Sequence, residues 1–194
     1  MNLIQVSLIV LSGLPILSTM LLGYQLLRNG QGTIGRPTII PWLFYSTKII
    51  VAVLFVTLFA ASLKTGFFLR FPWLIQNEIP LVQKLMSLIF LFAGNLLLIP
   101  AFYSMSIFTR AGLPESPHVL QTNGIYRISR NPMYTSFRCF FTACFLLVPS
   151  LVLAMLIVFV LITHHYIILK EEKFLASAFP NSYPAYKQEV TRYL

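Results

Sequence analysis

Two polar clusters frame one long apolar stretch of this chain. Before it runs Gly124-Ile125-Tyr126-Arg127-Ile128-Ser129-Arg130-Asn131-Pro132-Met133-Tyr134, and after it Glu171-Glu172-Lys173. Asn131-Pro132 has the order expected at a helix start, with Asn as N-cap and Pro at the first helical position, where its missing N–H is not needed. The free N–H groups and positive dipole of such a first turn favour a carboxylate or phosphate, and Arg130 beside it adds a full charge. Lipid phosphate is the competing partner for that arginine. Glu171 and Glu172 follow His164 and His165 by seven residues each, so the matched pairs share nearly one helical face. The two carboxylates suit a cationic ligand group, a salt bridge to Lys170 or Lys173, or plain solvation, and spacing alone leaves all three open. Metal is not expected: His118, His164 or His165 and a glutamate could supply three ligands, but no His-Glu-x-x-His or His-x-x-Glu-His spacing is present. The chain has no Asp, which excludes a Ser-His-Asp triad, and no nucleophile-elbow sequence supports the Glu variant.

The elements that must position these groups are membrane helices. With 57% hydrophobic and 10% charged residues among 194, the chain is too apolar for a water-solvated surface, since soluble domains carry about 25% charged residues. Uncharged runs cover Leu3 to Leu27, Ile49 to Leu63 (extended by Trp42 to Thr47 across Lys48), Leu85 to Thr109, and Cys139 to Leu169. A span needs roughly 20 apolar residues. The first run lacks a basic n-region and exceeds the usual h-region of about 7 to 15 residues, so it reads as a transmembrane helix and not a cleaved signal. Pro15 and Pro100 fall inside the first and third runs, where neighbouring groups must satisfy the freed carbonyls; kinks are expected there. The last run would be about 46 Å long as one helix at ~1.5 Å per residue, and Pro149-Ser150 near its middle marks a turn between two helices. Charge favours that division. Five crossings put eleven basic residues on one side and only Lys64, Arg70 and Lys84 on the other, whereas four crossings divide them evenly. The expected architecture is therefore an all-α integral membrane protein of five transmembrane helices, the last two a hairpin. Its N-terminus lies outside and its C-terminus in the cytosol.

Residues 1–109 would hold three helices and their loops, and 110–194 the chemically active region. The charge of +9 is explained by positive-inside bias and anionic lipid, with no call for nucleic acid. Cys139 and Cys144 lie about 140° apart around one helix, which suits packing thiols. Gly66 to Pro80, rich in Phe and Trp, has the character of an interfacial aromatic loop. After Pro184, the positions Tyr186, Val190 and Leu194 fall at helical spacing and suggest an amphipathic lid.

Taken together, His118-Val119-Leu120-Gln121-Thr122-Asn123-Gly124-Ile125-Tyr126, Arg130-Asn131-Pro132-Met133-Tyr134, Glu171-Glu172 with Leu175, and Phe179, Tyr183, Tyr186 and Arg192 resemble the isoprenylcysteine carboxyl methyltransferase family, in its short prokaryotic type. That family belongs to a wider group with phospholipid N-methyltransferases. The resemblance implies S-adenosylmethionine (SAM) as methyl donor and S-adenosylhomocysteine as product. It implies a cytosolic pocket formed by the loop before helix four and the C-terminal segment. His118 to Gln121, Gly124, Tyr126 and Arg130 to Tyr134 would line the cofactor, including Asn131, Pro132 and Tyr134, and Glu171 would contact it. A zwitterionic methionyl tail needs an anion site, offered by Arg130 and the helix start, and an ammonium partner, offered by Glu171 or Glu172. Glu171, Glu172, His165 and Arg130 are the candidate catalytic groups, with a glutamate or histidine taking the proton if the acceptor is an amine.

The chain departs from the family at three places. Asn131 stands where a histidine usually follows the motif arginine, and Phe179-Pro180 replaces Phe-Gly. The arginine that precedes the paired glutamates in the eukaryotic carboxyl methyltransferases has no counterpart in Tyr166 to Leu169. That absence predicts slow methylation of isoprenylcysteine and better turnover of another membrane amphiphile, such as an amine headgroup. The expected function is a membrane-embedded SAM-dependent methyltransferase acting on an amphiphilic acceptor that arrives from the bilayer. The alternatives are an NADPH-dependent sterol-type membrane reductase, whose larger cofactor needs more basic residues, and a non-catalytic membrane scaffold.

Overall fold

The computed structural model describes residues 2–30, 32, 35–63, 79–105 and 119–194. His118 and most of the expected aromatic loop, residues 66–78, lie outside the described residues. The described residues form helices and no strand: α1 (Leu3–Arg28), α2 (Pro41–Ser62), α3 (Leu81–Met105), α4 (Pro132–Leu147), α5 (Leu151–Ala178) and α6 (Tyr183–Glu189), with a single 3-10 turn at Gly124–Arg127 before α4.

Local chemistry sets the helix ends. Asn2 caps α1 by accepting from the Gln5 N–H at 2.9 Å, and Gly30, at φ +68, leads the chain out beyond Arg28. Pro41 opens α2. Ser150 caps α5, its Oγ accepting from the Leu153 N–H at 3.1 Å, so the turn expected at Pro149-Ser150 is where α4 gives way to α5. The two helices run back along one another: Tyr134 near the start of α4 bonds Glu171 near the end of α5, while Leu147 and Leu153 share the core beside the turn.

Four helices, α1, α2, α3 and α5, are long and apolar enough to cross a membrane. The fifth expected crossing is not among them. At 16 residues α4 is about 24 Å long at ~1.5 Å per residue, short of the ~30 Å hydrocarbon core. Pro132 fixes its start and Pro149 follows its end, so it cannot be lengthened in either direction without breaking a proline constraint. Apolar side chains such as Leu3, Val10, Met20, Val56 and Ile89 are exposed, as expected where lipid is the solvent. The protein is a multi-pass membrane protein.

Both prolines expected inside helices sit within continuous α1 and α3. Pro15 cannot bond the Leu11 carbonyl four residues back, and Asn95 of α3 donates its Nδ2 to that carbonyl at 2.9 Å. The orphaned acceptor thus becomes an α1–α3 tie. Gln5 of α1 likewise donates its side-chain amide to the Ser62 carbonyl at the end of α2. Gly94 lets α3 close on α4, since a Cβ there would meet the Phe140 ring at 2.7 Å. Phe55 of α2 packs edge-on or tilted against Phe137, Phe140 and Phe141 of α4, with ring centroids 5.4 to 6.2 Å apart. Cys139 and Cys144 are free thiols; Cys144 is buried, with its sulfur 3.6 Å from the Leu54 carbonyl. This core holds the α4–α5 hairpin and leaves both polar clusters at one end of it.

Candidate functional site

A second, smaller cluster of Phe44, Tyr134, Ile167 and Ile168 forms the floor of the polar end, with Tyr193 packed on it. Above it the two glutamates go separate ways. Glu171 is half-buried and accepts from the Tyr134 hydroxyl at 3.0 Å through Oε1, and it has no ion pair among the described residues. Glu172 is buried, and Arg192 grips it with both ends of its guanidinium: Nε donates to Oε1 at 3.0 Å and Nη2 to Oε2 at 2.9 Å. Arg130 lies 3.5 Å from Oε1 of the same carboxylate and donates weakly to the Tyr183 hydroxyl at 3.4 Å. Two adjacent carboxylates thus have different partners, because successive helical positions are about 100° apart.

The C-terminal segment is clasped to the loop before α4 through backbone as well as charge. The Arg130 N–H donates to the Thr191 carbonyl at 2.9 Å, and the Ser129 hydroxyl and the Asn131 side-chain amide both donate to the Arg192 carbonyl at 3.2 Å. Asn131 occupies the N-cap position of α4, as expected, but its side chain makes no capping bond. It is committed to Arg192 instead, so the first turn of α4 keeps N–H groups without a side-chain cap. The expected lid is also altered. Its helical spacing ends at Glu189, Val190 is extended at φ −118 and ψ 133, and Leu194 is exposed. The reason is the clasp: carbonyls 191 and 192 can face the loop only if the backbone leaves the helix.

The tail closes over the loop at a further point, where the Tyr186 hydroxyl donates to the Tyr126 carbonyl at 2.7 Å. Burial, with Tyr186 and Glu171 nearby, holds the Tyr126 phenol well above its ordinary range. Burial chiefly pushes Tyr186 up to about 12. Both therefore stay neutral at ordinary pH. Gly124, at φ +62, sets the turn before Tyr126, and a Cβ there would also meet the Ser104 hydroxyl oxygen at 2.9 Å.

Of the residues singled out in the sequence, Arg130, Tyr134, Glu171 and Glu172 come together, with Tyr126 tied in through Tyr186. Asn131 and Pro132 form the α4 start beside them. Val119 is exposed, and among the described residues Gln121 bonds only locally, to the Asn123 carbonyl. His165 faces elsewhere, its Nδ1 2.8 Å from the Tyr193 hydroxyl oxygen. His164 points inward among the rings of Tyr134, Phe137 and Phe141. No three His, Cys, Asp or Glu side chains gather as a metal-holding group among the described residues.

Three residues of this region are not marked as site components by the sequence alone. Arg192 was visible only as part of a spacing pattern, and its pairing with Glu172, 20 positions away, depends on the fold. Lys48 and Arg138 counted only toward topology. Lys48 lies over the Phe44 ring at 5.0 Å, and Arg138 over the Tyr193 ring at 3.8 Å. Among the buried side-chain atoms left without a hydrogen bond are Arg130 Nε and His164 Nε2. The Arg130 side chain is only 8% exposed, and its Nε–H has no acceptor among the described residues.

The family model for phospholipid methyltransferases matches residues 82–182, from the start of α3 through the α4–α5 hairpin to the residue before α6. No curated protein and no solved structure matches the chain. The match includes Arg130, Tyr134, Glu171 and Glu172, and leaves Arg192 and Tyr193 beyond its end. Because it spans just over half of the sequence and contains both polar clusters with the hairpin that joins them, the chain belongs to the phospholipid methyltransferase family.

Proposed function

We propose that the protein transfers a methyl group from SAM to a membrane amphiphile, with an amine-bearing phospholipid headgroup as the acceptor. The observation that carries this reading is the division of labour between the glutamates. Glu172 is neutralised by Arg192 and Arg130, whereas Glu171 has no ion pair among the described residues and only the more distant Lys48 as counter-charge, which leaves it the carboxylate able to meet a cationic group. The chemistry of this set fits SAM. Glu171 suits the methionyl ammonium, the unpaired Arg130 Nε and the uncapped first turn of α4 suit its carboxylate, and the Tyr126 ring suits the sulfonium or adenine, while the buried Tyr134 contributes through the hydroxyl that orients Glu171.

SAM supplies an electrophilic methyl carbon: the acceptor nitrogen's lone pair forms the new C–N bond as the C–S bond breaks, and that bond's electrons remain on sulfur. The protein's task is alignment of reacting atoms to about 3 to 3.5 Å and exclusion of water. The α4–α5 hairpin and the clasped tail serve both purposes. An ammonium acceptor must first lose a proton, which a glutamate or histidine at this end of the hairpin would receive. The match to the phospholipid methyltransferase family model favours SAM over the reductase alternative.

S-adenosylhomocysteine at about 100 times its Kd is expected to stabilise the fold by roughly 2.7 kcal/mol if it binds only the native state. NADPH is expected to give no shift. Thermal unfolding of the purified protein with each ligand checks this; stabilisation by NADPH alone would transfer the assignment to the reductase.

We also place the active end in the cytosol with the C-terminus, on the strength of the basic residues that gather there. Single cysteines at Asn123 and at Lys187, in a Cys139→Ser, Cys144→Ala background, should then both react with a membrane-impermeant thiol reagent from the cytosolic side only. Reaction from opposite sides would separate the loop from the tail, and the shared site would be lost.

A further inference from the structure

Beyond the donor site, α4 and α5 leave a groove of about 430 Å³ between them. Its walls are two helical stripes. Arg138, Phe141 and Phe145 line it from α4, and Ala154, Ile157 and Leu161 from α5, each set at the three- and four-residue steps that keep side chains on one face. Phe145 and the neighbouring Val158 are exposed, so the groove opens toward the lipid. Apart from the Thr142 hydroxyl, which is spent on the Arg138 carbonyl at 2.9 Å, it is apolar except at the end marked by Arg138. That guanidinium stacks on Tyr193 and makes no hydrogen bond or ion pair among the described residues, which leaves its N–H groups without an acceptor. A cation held in this way at the end of a hydrocarbon-lined slot is complementary to an anion carried on a hydrocarbon chain.

We infer that this groove is the acceptor subsite: one acyl chain of a glycerophospholipid lies between α4 and α5, and its phosphodiester is held by Arg138 stacked on Tyr193. The inference rests on the methyltransferase reading for the word acceptor, and on the groove and its unpaired guanidinium for the rest. The order of groups favours a phosphodiester over a carboxylate. Tyr134, which holds Glu171, is one helical turn from Arg138 on α4, a rise of about 6 Å at ~1.5 Å per residue. A chain in the groove with its anion at Arg138 therefore directs whatever follows the anion toward Tyr134 and Glu171. An ethanolamine attached to phosphate lies beyond the anion in this way, whereas a carboxylate is itself the end of its chain. On α5 the same stripe continues from Leu161 to His165, four positions on, whose Nδ1 lies 2.8 Å from the Tyr193 hydroxyl oxygen. Arg138 thus supplies from α4 the anion clamp that α5 lacks between Tyr166 and Leu169.

The test uses full-length protein in a maltoside detergent free of phospholipid, with binding of dioctanoyl phosphatidylethanolamine followed by calorimetry. Arg138→Gln is expected to weaken that binding about tenfold or more, and Arg138→Lys less, because a charge-assisted contact is lost or made less directional. Dioctanoylglycerol, which has the chains but no phosphate, should bind with no dependence on residue 138. Glycerophosphoethanolamine, which has the headgroup but no chains, should bind far more weakly than the lipid. Ala154→Leu fills the groove and should weaken both chain-bearing ligands several-fold while leaving the guanidinium in place. It decides the matter if Arg138→Gln does not retain wild-type helix content. Unchanged lipid affinity in Arg138→Gln and Ala154→Leu would overturn the inference, as would equal affinity for glycerophosphoethanolamine. In a parallel assay with labelled SAM, Arg138→Gln should raise KM for the lipid and leave KM for SAM unchanged. Arg138-dependent lipid binding without methyl transfer would support the subsite and sink the enzymatic reading; methyl transfer indifferent to Arg138 would do the reverse.

Discussion

Replacing Glu172 with Gln is expected to destabilise the protein by about 3 to 5 kcal/mol, more than removing Arg192 does, because it leaves two guanidinium groups without their counter-charge. Glu172 and Arg130 are both over 90% buried at their side chains, and Arg192 is about two-thirds buried. Breaking such an arrangement from the shared acidic side is worse than breaking it from one basic side, since Arg130 remains beside Glu172 when Arg192 is lost. The measurement is thermal or denaturant unfolding of Glu172→Gln, Arg192→Ala and the double variant. A large coupling between the two positions is expected, as residues in one ion-pair network are not additive. Independent, additive losses would mean that the clasp is only a surface contact.

The same experiment reports on the architecture of the site. The tail touches the loop through the Arg130 N–H, Ser129 and Asn131 as well as through Arg192, so loosening the charge pair should also expose the loop backbone. Amide hydrogen exchange at residues 129–131 should rise in Glu172→Gln. Tyr186, whose hydroxyl bonds the Tyr126 carbonyl, should follow.

Much of this was legible in the sequence because hydrocarbon imposes a strict length rule. The first apolar run, Leu3 to Leu27, became α1 at Leu3–Arg28, and the run interrupted by Lys48 became the single helix α2 at Pro41–Ser62. Lys48 did not break it, since its ammonium rests over Phe44 within the same helix. The turn at Pro149-Ser150 was equally readable from proline and a capping serine. What the length rule could not show was that α4 is confined between Pro132 and Pro149 to 16 residues.

The site was legible in its members and not in its pairings. Arg130, Tyr134, Glu171 and Glu172 were identifiable from type and order. Which glutamate is engaged depends on where the tail returns, and Arg192 and Tyr193 return from beyond the hairpin. One signal was available: adjacent helical residues point about 100° apart, so Glu171 and Glu172 could not both face one ligand. Arg138 was hidden for a different reason. A lone arginine near a helix start resembles an interfacial anchor until its aromatic partner and the adjoining groove are seen.

The contrast between the glutamates leads to the sharpest functional expectation. Glu171→Gln should cost the ligand-free protein much less stability than Glu172→Gln, since Glu171 has no close ion pair among the described residues, only a longer-range attraction to Lys48, and its bond from the Tyr134 hydroxyl can be accepted by an amide oxygen. Its effect should fall on the donor. Removing the carboxylate from a charge-assisted contact with the methionyl ammonium typically costs about 1.5 to 3 kcal/mol, or roughly a 10- to 150-fold loss of affinity for S-adenosylhomocysteine. Tyr134→Phe should act in the same direction but more weakly, because it keeps the ring among Phe44, Ile167 and Ile168 and removes only the hydroxyl that orients Glu171. Calorimetric titration of the two variants, beside unfolding curves without ligand, separates the roles: Glu172 governs folding and Glu171 governs binding. If Glu171→Gln binds the product as tightly as the wild type, the ammonium partner lies elsewhere. If it unfolds as readily as Glu172→Gln, both carboxylates belong to the clasp, and the assignment of a free carboxylate to the donor fails.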